Sequence, residues 1–309
     1  MHKNTTRSNK MQTFENYFNN IRILEEQFTN EYLSESYDIL LEKLITFGGK
    51  AYPNYGHVVI MAGGAGSGKG FVKDNLIGLE GRTFDVDDLK KLAAKTPAIQ
   101  KKAKEEFGVD LEDLSKDMRK AENVAKMHEI IGDALNIPDK QQQAMFKSIL
   151  ATSPDRKPNL IFDVTLKDLR KLEKITRQVS AIGYDKKNIH IVWVINDIEV
   201  AKDQNLKRDR TVPVDILVNT HRGVSATMQD ILNMGKSLNK YMDGDIVFAF
   251  NKIKVDSEVA RSDRGGSFIK DANYFYVKRA GKEVTPLDKL ERDVRSKIAS
   301  YVPKNVEWV

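Results

Sequence analysis

The chain has 309 residues, 40% of them hydrophobic and 30% charged, which is enough to bury one large core or a core with a smaller satellite. Its formal net charge of +6 favours anionic partners, but the excess is too small for a protein that coats DNA. The absence of cysteine excludes disulfides and thiolate metal sites, and no apolar run approaches the roughly 20 residues of a membrane span. These features favour a cytoplasmic location, in a bacterium or a phage-infected host cell, with no membrane partner.

The first fifty residues divide into two predicted segments. Residues 1–12 lack the apolar stretch of a secretion signal, and we expect them to form a disordered leader. Residues 13–50 carry apolar side chains at three- and four-residue spacing, which predicts a helical segment that ends at Gly48 and Gly49.

Between residues 51 and 251, short apolar runs alternate with helical patterns. This alternation predicts a three-layer α/β fold around a mostly parallel five-stranded sheet. Residues 88–150 predict a helical insertion, the stretch from Leu166 to Gly183 predicts an amphipathic helix, and residues 252–309 predict a C-terminal extension packed on the core, with a loop at 257–267. The predicted strands are His57–Ala62, Arg82–Val86, Asn159–Val164, Ile189–Ile195 and Asp245–Phe250.

The first predicted strand leads directly into a glycine-rich loop. The loop matches the first seven positions of a Walker A phosphate-binding loop, and a helical pattern follows it, as that motif requires. Glycine lets the backbone turn tightly enough for several N–H groups to face phosphate oxygens, and Lys69 adds a positive charge for the β- and γ-phosphates. We therefore expect ATP or GTP to bind at Gly63, Gly64, Ala65, Gly66, Ser67, Gly68, Lys69 and Gly70.

The eighth position of the loop departs from this motif. A Ser or Thr hydroxyl normally binds Mg²⁺ there, whereas this chain has Gly70. Mg²⁺ would then be held by phosphates, waters and carboxylates, or would bind weakly, and a nucleotide-binding protein without catalytic activity stays an open alternative. Ser67 precedes the lysine and is not expected to replace the missing hydroxyl.

Three aspartates, Asp85, Asp87 and Asp88, stand at the end of the second predicted strand. In a parallel sheet the active-site crevice lies at the carboxyl ends of the strands, so a carboxylate here can accept the proton of an attacking hydroxyl. Asp87 is the candidate base, and Asp85 is a candidate substrate contact. The alternative is that these acids cap a helix that begins at Leu89, with Asp88 as the N-cap.

The third predicted strand ends in Asp163, like the acidic strand of a Walker B motif. Asp163 would hold Mg²⁺ through water, and Thr165 would donate a hydrogen bond to the substrate. The alternative for Thr165 is a helix N-cap, with Asp168 three residues later in a capping-box-like pattern.

A basic segment after the fourth strand predicts a lid at residues 202–213. Arginines on a mobile lid stabilise the charge that spreads over the γ-phosphate oxygens, which makes Arg208 and Arg210 candidate catalytic residues. A solvated basic surface is the alternative. The five histidines show no metal-ligand spacing, and His190, inside an apolar strand, is expected in the core.

The order of these features resembles the zeta-toxin family of P-loop kinases and, more distantly, phage-type polynucleotide kinases, from about Val58 to Asn251. The chain differs from the family in Gly70, in Asp163 where the family more often has Glu, and in the close spacing of its two lid arginines. The likeness rests on the phosphate loop, Asp85-Val86-Asp87, Lys95-Thr96-Pro97, Asp163-Val164-Thr165, Gly183-Tyr184 and Arg210-Thr211-Val212-Pro213.

This resemblance implies a kinase with a P-loop NTPase fold, in which Lys69 binds phosphates and Asp87 is the base. It also implies that Asp163 and Thr165 contact the substrate, that Arg208 and Arg210 contact the transferred phosphoryl group, and that the acceptor is a UDP-activated amino sugar. A nucleic-acid end as acceptor, favoured by the basic helical insertion, stays open. So do a non-enzymatic nucleotide-binding role in a phage particle and an inhibitory or virion protein partner.

Overall fold

The computed structural model describes residues 56–73, 81–150, 152, 156–208, 211–252, 260–261, 267–268, 271–304 and 308. The predicted leader at 1–12, the predicted helical segment at 13–50 and Arg210 lie outside these residues.

A six-stranded sheet is the centre of this part of the chain. Its strands are β1 (Val58–Ala62), β2 (Arg82–Asp85), β3 (Leu160–Asp163), β4 (Ile189–Asn196), β5 (Ile246–Lys252) and β8 (Asp271–Lys278), and a separate two-stranded sheet pairs β6 (Ala260–Arg261) with β7 (Ser267–Phe268). The order of the large sheet is β2-β3-β1-β4-β5-β8. Strands β1 to β5 are parallel, and β8 runs antiparallel to β5 at the edge.

Helices connect these strands. The α-helices of the described residues are α1 (Lys69–Val72), α2 (Val86–Ala94), α3 (Pro97–Phe107), α4 (Leu111–Lys116), α5 (Ala121–Met127), α6 (Ile137–Leu150), α7 (Leu169–Ala181), α8 (Ile198–Leu206), α9 (Val214–Asn233) and α10 (Arg292–Tyr301). A π-helical turn spans His128–Ala134, and 3₁₀ turns span Lys186–Asn188, Gly235–Lys240 and Leu287–Lys289. None of the described helices is long and apolar enough to cross a bilayer.

The main core is packed around the middle of the sheet. Strands β1 and β4 are buried along their whole length, as expected for parallel strands that are covered on both faces. Trp193 of β4 packs edge-on against Phe248 of β5, with ring centroids 4.8 Å apart. Trp308 packs against Trp193 and donates its indole N–H to the Ser225 hydroxyl of α9 at 2.6 Å, so the last described residue belongs to this core.

The helical insertion between β2 and β3 has a smaller core of its own. Ala103, Leu111 and Ile131 are fully buried there, together with neighbours on α2 and the π-helical turn. Lys90 of α2 is buried against this turn, and its ammonium group lies 2.6 Å from Nδ1 of His128. A second core explains why this long insertion holds a defined shape beside the sheet.

The predicted α/β fold with a mostly parallel sheet is confirmed, with six strands instead of five. The additional strand is β8, which pairs with β5 from Ile246 to Lys252. Its residues follow a polar segment, and the sequence alone does not show that the chain turns back along β5. The prediction that His190 is a core residue is also confirmed, since it is buried within β4.

Two helix starts and one loop differ from the sequence predictions. The helix after β2 begins at Val86 instead of Leu89, so Asp88 lies within it and is not its N-cap. Helix α7 begins at Leu169, because Asp168 accepts the Arg170 amide at 2.9 Å and caps it, and Leu166 has a left-handed backbone with φ 54°. Within the predicted loop at 257–267, β6 and β7 form an antiparallel pair.

Candidate functional site

The glycine-rich loop connects β1 to α1 at the carboxyl end of the parallel sheet. Strand β1 lies between β3 and β4, so residues that end these two strands flank the loop. The carboxyl ends of the strands are where open parallel α/β sheets bind their ligands.

The side chain of Lys69 folds back over the loop. Its ammonium group donates to the carbonyl oxygens of Gly63 at 2.9 Å and Gly64 at 3.3 Å, and it lies 3.7 Å from Oδ1 of Asp163. Both side chains are mostly buried, so this charge pair is only partly screened by water. A positive charge is thus fixed at the mouth of the loop.

Three more loop carbonyls are held by side chains from outside the loop. Nε2 of His221 is 2.8 Å from the Ala65 oxygen, Nδ2 of Asn196 is 3.2 Å from the Gly66 oxygen, and Nδ2 of Asn251 is 2.8 Å from the Ser67 oxygen. Every backbone carbonyl from Gly63 to Ser67 therefore accepts a hydrogen bond from a side chain of this protein.

This arrangement fixes the direction of two backbone amides. In a trans peptide the carbonyl and the following N–H point in opposite directions, so holding the Ala65 and Ser67 oxygens directs the Gly66 and Gly68 amides away from His221 and Asn251. No hydrogen bond between described residues uses these two amides. The amides of Gly63, Ala65 and Ser67, in contrast, donate to protein oxygens.

Burial sets the protonation state of His221. Loss of solvation, with a smaller effect of the positive charge of Lys69, lowers the pKa of this imidazole to about 4, against the opposing effect of the hydrogen bond to Ala65. The ring is therefore neutral at pH 7. Its Nε2 carries the proton that is donated to the Ala65 carbonyl oxygen.

Two loop glycines are required by these contacts. A Cβ at Gly64 would overlap the His221 ring, and a Cβ at Gly68 would overlap the Asn251 amide. Gly68 also has a left-handed backbone, with φ 87°. By contrast, no heavy atom of the described residues around Gly70 lies within 4 Å of a Cβ there, so their packing does not exclude a side chain.

The predicted acidic residues occupy neighbouring strand ends. Asp85 and Asp163 are register partners at the carboxyl ends of β2 and β3, and Asp163 also pairs with Met61 of β1. Asp87 lies in the first turn of α2, two residues beyond Asp85. Among the residues that the structure describes, no cluster of three or more His, Cys, Asp or Glu side chains could hold a metal ion.

Thr165 lies beside the loop, because its carbonyl oxygen accepts the Gly63 amide at 3.3 Å. The alternative reading of Thr165 as a helix N-cap is wrong, since Asp168 has that role.

The described lid residues lie on and after helix α8, which packs against the loop: the Ala201 carbonyl oxygen would be 2.7 Å from a Cβ at Gly66. Lys202 lies within helix α8 and pairs with Glu199 at 2.7 Å, and Arg208 is exposed after the end of that helix. The Asn205 side chain binds both the N–H and the C=O of Val212, at 2.9 and 2.7 Å, which ties the turn to α8. The Thr211 amide also donates to the Met118 carbonyl of the insertion at 3.2 Å.

Four residues of this site do not appear among the sequence candidates: Asn196, Thr220, His221 and Asn251. Asn196 and Asn251 each stand at the polar end of an apolar strand, which is the signal that identified Asp163. The sequence around Thr220 and His221 gives no such signal, because both lie in the middle of a long helix.

No family model matches the chain, and no curated protein matches it. Among solved structures, an AvrRxo1-ORF1:-ORF2 complex is similar at 12% identity and TM-score 0.43, over 80% of this chain and 64% of that chain. A second AvrRxo1 structure, solved with ATP, is similar at 10% identity and TM-score 0.42, over the same 80% and 64%. This chain therefore spans less than two thirds of the AvrRxo1 chain.

A structure from the PezAT chromosomal toxin–antitoxin system of Streptococcus pneumoniae is similar at 11% identity and TM-score 0.38, over 76% of this chain and 77% of that chain. TT1252 from Thermus thermophilus is similar at 12% identity and TM-score 0.33, over 65% of this chain and 91% of that chain. None of these values assigns a function to this chain.

Proposed function

We propose that the chain is a nucleoside-triphosphate-dependent phosphotransferase that moves the γ-phosphoryl group of ATP or GTP to an alcohol hydroxyl. One observation carries the proposal: Lys69 is anchored by the Gly63 and Gly64 carbonyls in a loop whose Gly66 and Gly68 amides are directed away from the protein contacts that hold it. A fixed ammonium group and backbone amides that are not used by protein acceptors are what a triphosphate chain requires.

The proposed reaction needs a base beside the acceptor hydroxyl. Asp87 accepts the hydroxyl proton as the acceptor oxygen forms its bond to the γ-phosphorus. The bond from that phosphorus to the β–γ bridging oxygen breaks, and the nucleoside diphosphate leaves with the electron pair. Lys69 stabilises the charge on the β- and γ-oxygens throughout.

The residues present fit Mg²⁺ as a partner of the nucleotide. Mg²⁺ in such sites commonly uses one or two carboxylates, several waters and phosphate oxygens. Asp163, 3.7 Å from Lys69 and in register with Asp85, would hold it through water without a hydroxyl at Gly70. When bound, the ion supplies charge neutralisation at the phosphates.

Arg208 and Arg210 complete the proposal as lid residues. Arg208 is exposed, and in the turn that follows α8 Val212 is bound by the Asn205 side chain and the Thr211 amide donates to the Met118 carbonyl. We infer that nucleotide binding draws this turn towards the γ-phosphate, where a guanidinium group would stabilise the transferred phosphoryl group.

The acceptor is proposed to be an anionic molecule, either a UDP-activated amino sugar or a nucleic-acid end. The helical insertion stands next to Asp87, since α2 begins at the end of β2, and it is proposed to bind the acceptor. Asp85 and Thr165 are proposed to contact this acceptor, because both lie at the carboxyl end of the parallel strands, as the loop does.

The test is transfer of radiolabelled γ-phosphate from ATP or GTP to UDP-sugars and to oligonucleotide ends. Lys69→Ala and Asp87→Ala should each reduce transfer by at least about 100-fold. Asp230→Ala, which removes an exposed carboxylate from α9, is the control and should keep the wild-type rate. Full transfer by Asp87→Ala would remove Asp87 from the mechanism.

A non-enzymatic nucleotide-dependent role is the second candidate, and Gly70 favours it because the metal-binding hydroxyl of the motif is missing. That candidate predicts nucleotide binding that depends on Lys69, with no transfer to any acceptor tested.

A further inference from the structure

We propose that Asn196, Asn251, Thr220 and His221 are positioning residues that hold the phosphate loop open for a triphosphate before any ligand binds. This inference rests on the proposed function, and it assigns the task of shaping the site to residues that do not themselves contact phosphate. The four side chains come from three elements, β4, β5 and α9, and they converge on three consecutive loop residues, Ala65 to Ser67.

The two asparagines act as a pair. They are register partners at the carboxyl ends of adjacent parallel strands, so their side chains leave the same face of the sheet. Both are buried, and their amide nitrogens bind the oxygens of the successive residues Gly66 and Ser67. Because the strands fix both asparagines, two consecutive peptide planes of the loop are fixed with them.

Helix α9 holds the preceding residue by both of its backbone groups. The Ala65 amide donates to the Thr220 hydroxyl at 3.2 Å, and the Ala65 carbonyl accepts from His221 at 2.8 Å. The Thr220 hydroxyl donates its own proton to the Leu217 carbonyl at 2.7 Å, which leaves an oxygen lone pair for Ala65. Two adjacent residues of α9 thus hold both the amide and the carbonyl of Ala65.

A glycine-rich loop has the largest conformational entropy to lose when it becomes ordered around a ligand. If the protein has already fixed the loop, this loss does not reduce nucleotide affinity. Contacts that only filled the core would not need to bind the carbonyls of three successive loop residues. They also would not need to direct the Gly66 and Gly68 amides away from His221 and Asn251.

The first experiment measures, by titration calorimetry, the affinity of the full chain for ATP and for inorganic tripolyphosphate. Asn251→Ala and Asn196→Ala should each weaken both ligands by the same factor, about 10-fold or more for the loss of one positioning hydrogen bond. The matched control is Asn159→Ala, which removes a buried asparagine that accepts the His57 amide at the opposite end of the sheet. It should lower the melting temperature without changing either affinity.

A second pair of variants decides the matter if the asparagine variants do not fold. Thr220→Val removes the oxygen that accepts the Ala65 amide but keeps the size of the side chain, and Thr220→Ser restores that oxygen. The proposal expects weaker ATP and tripolyphosphate binding for Thr220→Val and recovery for Thr220→Ser.

The outcomes separate the two proposals. If the wild-type chain binds neither ATP, GTP nor tripolyphosphate, the proposed function fails. If the wild type binds them and the folded asparagine and Thr220→Val variants bind equally well, the four residues only stabilise the fold, and the positioning role is wrong.

Discussion

Replacing Gly70 by serine should increase the affinity for Mg²⁺ in the presence of nucleotide. Gly70 occupies the position where the loop motif has a hydroxyl, and it lies in the first turn of α1. A Cβ at this position meets no heavy atom of the described part of the chain within 4 Å, so the serine side chain would fit without moving those neighbours. Steric crowding by these neighbours therefore does not explain why the chain has glycine instead of serine or threonine at this position.

The magnitude can be divided into a helix effect and a ligand effect. In a helix, alanine is more favourable than glycine by about 1 kcal/mol and serine by about half of that, so Gly70→Ala and Gly70→Ser should each raise the melting temperature by at most about 4 °C. Only serine adds an oxygen ligand. We expect it to lower the Mg²⁺ concentration needed for half-maximal transfer by about 10-fold, which corresponds to about 1.4 kcal/mol.

The assay is phosphoryl transfer, or ATP binding if no acceptor is found, titrated with Mg²⁺ for the wild type, Gly70→Ala and Gly70→Ser. Serine should shift the Mg²⁺ dependence, and alanine should not. Identical Mg²⁺ curves for the two variants would refute the reasoning, because the hydroxyl at this position would then have no access to the metal.

Three further changes test other parts of the structure. Asp163→Asn, which neutralises the carboxylate 3.7 Å from the Lys69 ammonium, should reduce transfer by about 100-fold while the protein stays folded, as judged by turnover and circular dichroism; wild-type turnover would count against a role for Asp163. Lys278→Ala removes a fully buried ammonium group that binds Asp243 and the carbonyls of Arg279 and Lys282, so it should lower the free energy of unfolding by about 3 kcal/mol. It should leave ATP affinity unchanged, because Lys278 pairs with Ile246 at the end of β5 that is remote from the loop. Acid should also destabilise the fold, because burial lowers the pKa of His57, His190 and His221 and the unfolded chain therefore binds more protons than the folded one. The free energy of unfolding should fall as the pH drops below 6.5, and His221 alone should account for about 3 kcal/mol once the pH reaches about 4. Urea unfolding at a series of pH values measures this slope, and a flat profile would contradict the neutral, buried state of these rings.

The sequence predicts the parallel part of the fold because four of its five strands are apolar runs that end at a polar or glycine residue; β2, with Phe84 as its one apolar residue, is the exception. The loop at Gly63 and the acid at Asp163 were identifiable for the same reason, since both follow buried strands. The structure brings these two features together, with Lys69 between the loop carbonyls and the Asp163 carboxylate.

The parts that the sequence did not predict depend on contacts between distant residues. The edge strand β8 is placed by its antiparallel register with β5, which no local pattern encodes. The start of α2 was predicted at Leu89 because aspartate is a favoured cap, but the chain turns into the helix directly from β2, at Val86. Thr220 and His221 are separated from Ala65 by more than 150 residues, and only the packing of α9 against the loop reveals them.

The central claim is that the loop after β1 holds the triphosphate of a nucleotide around the Lys69 ammonium. Calorimetric titration of ATP and GTP into the wild type and into Lys69→Ala tests it most directly. The account predicts saturable one-to-one binding of at least one nucleotide by the wild type and its near-complete loss in a folded Lys69→Ala variant. Equal affinity of the two proteins for the same nucleotide would contradict it.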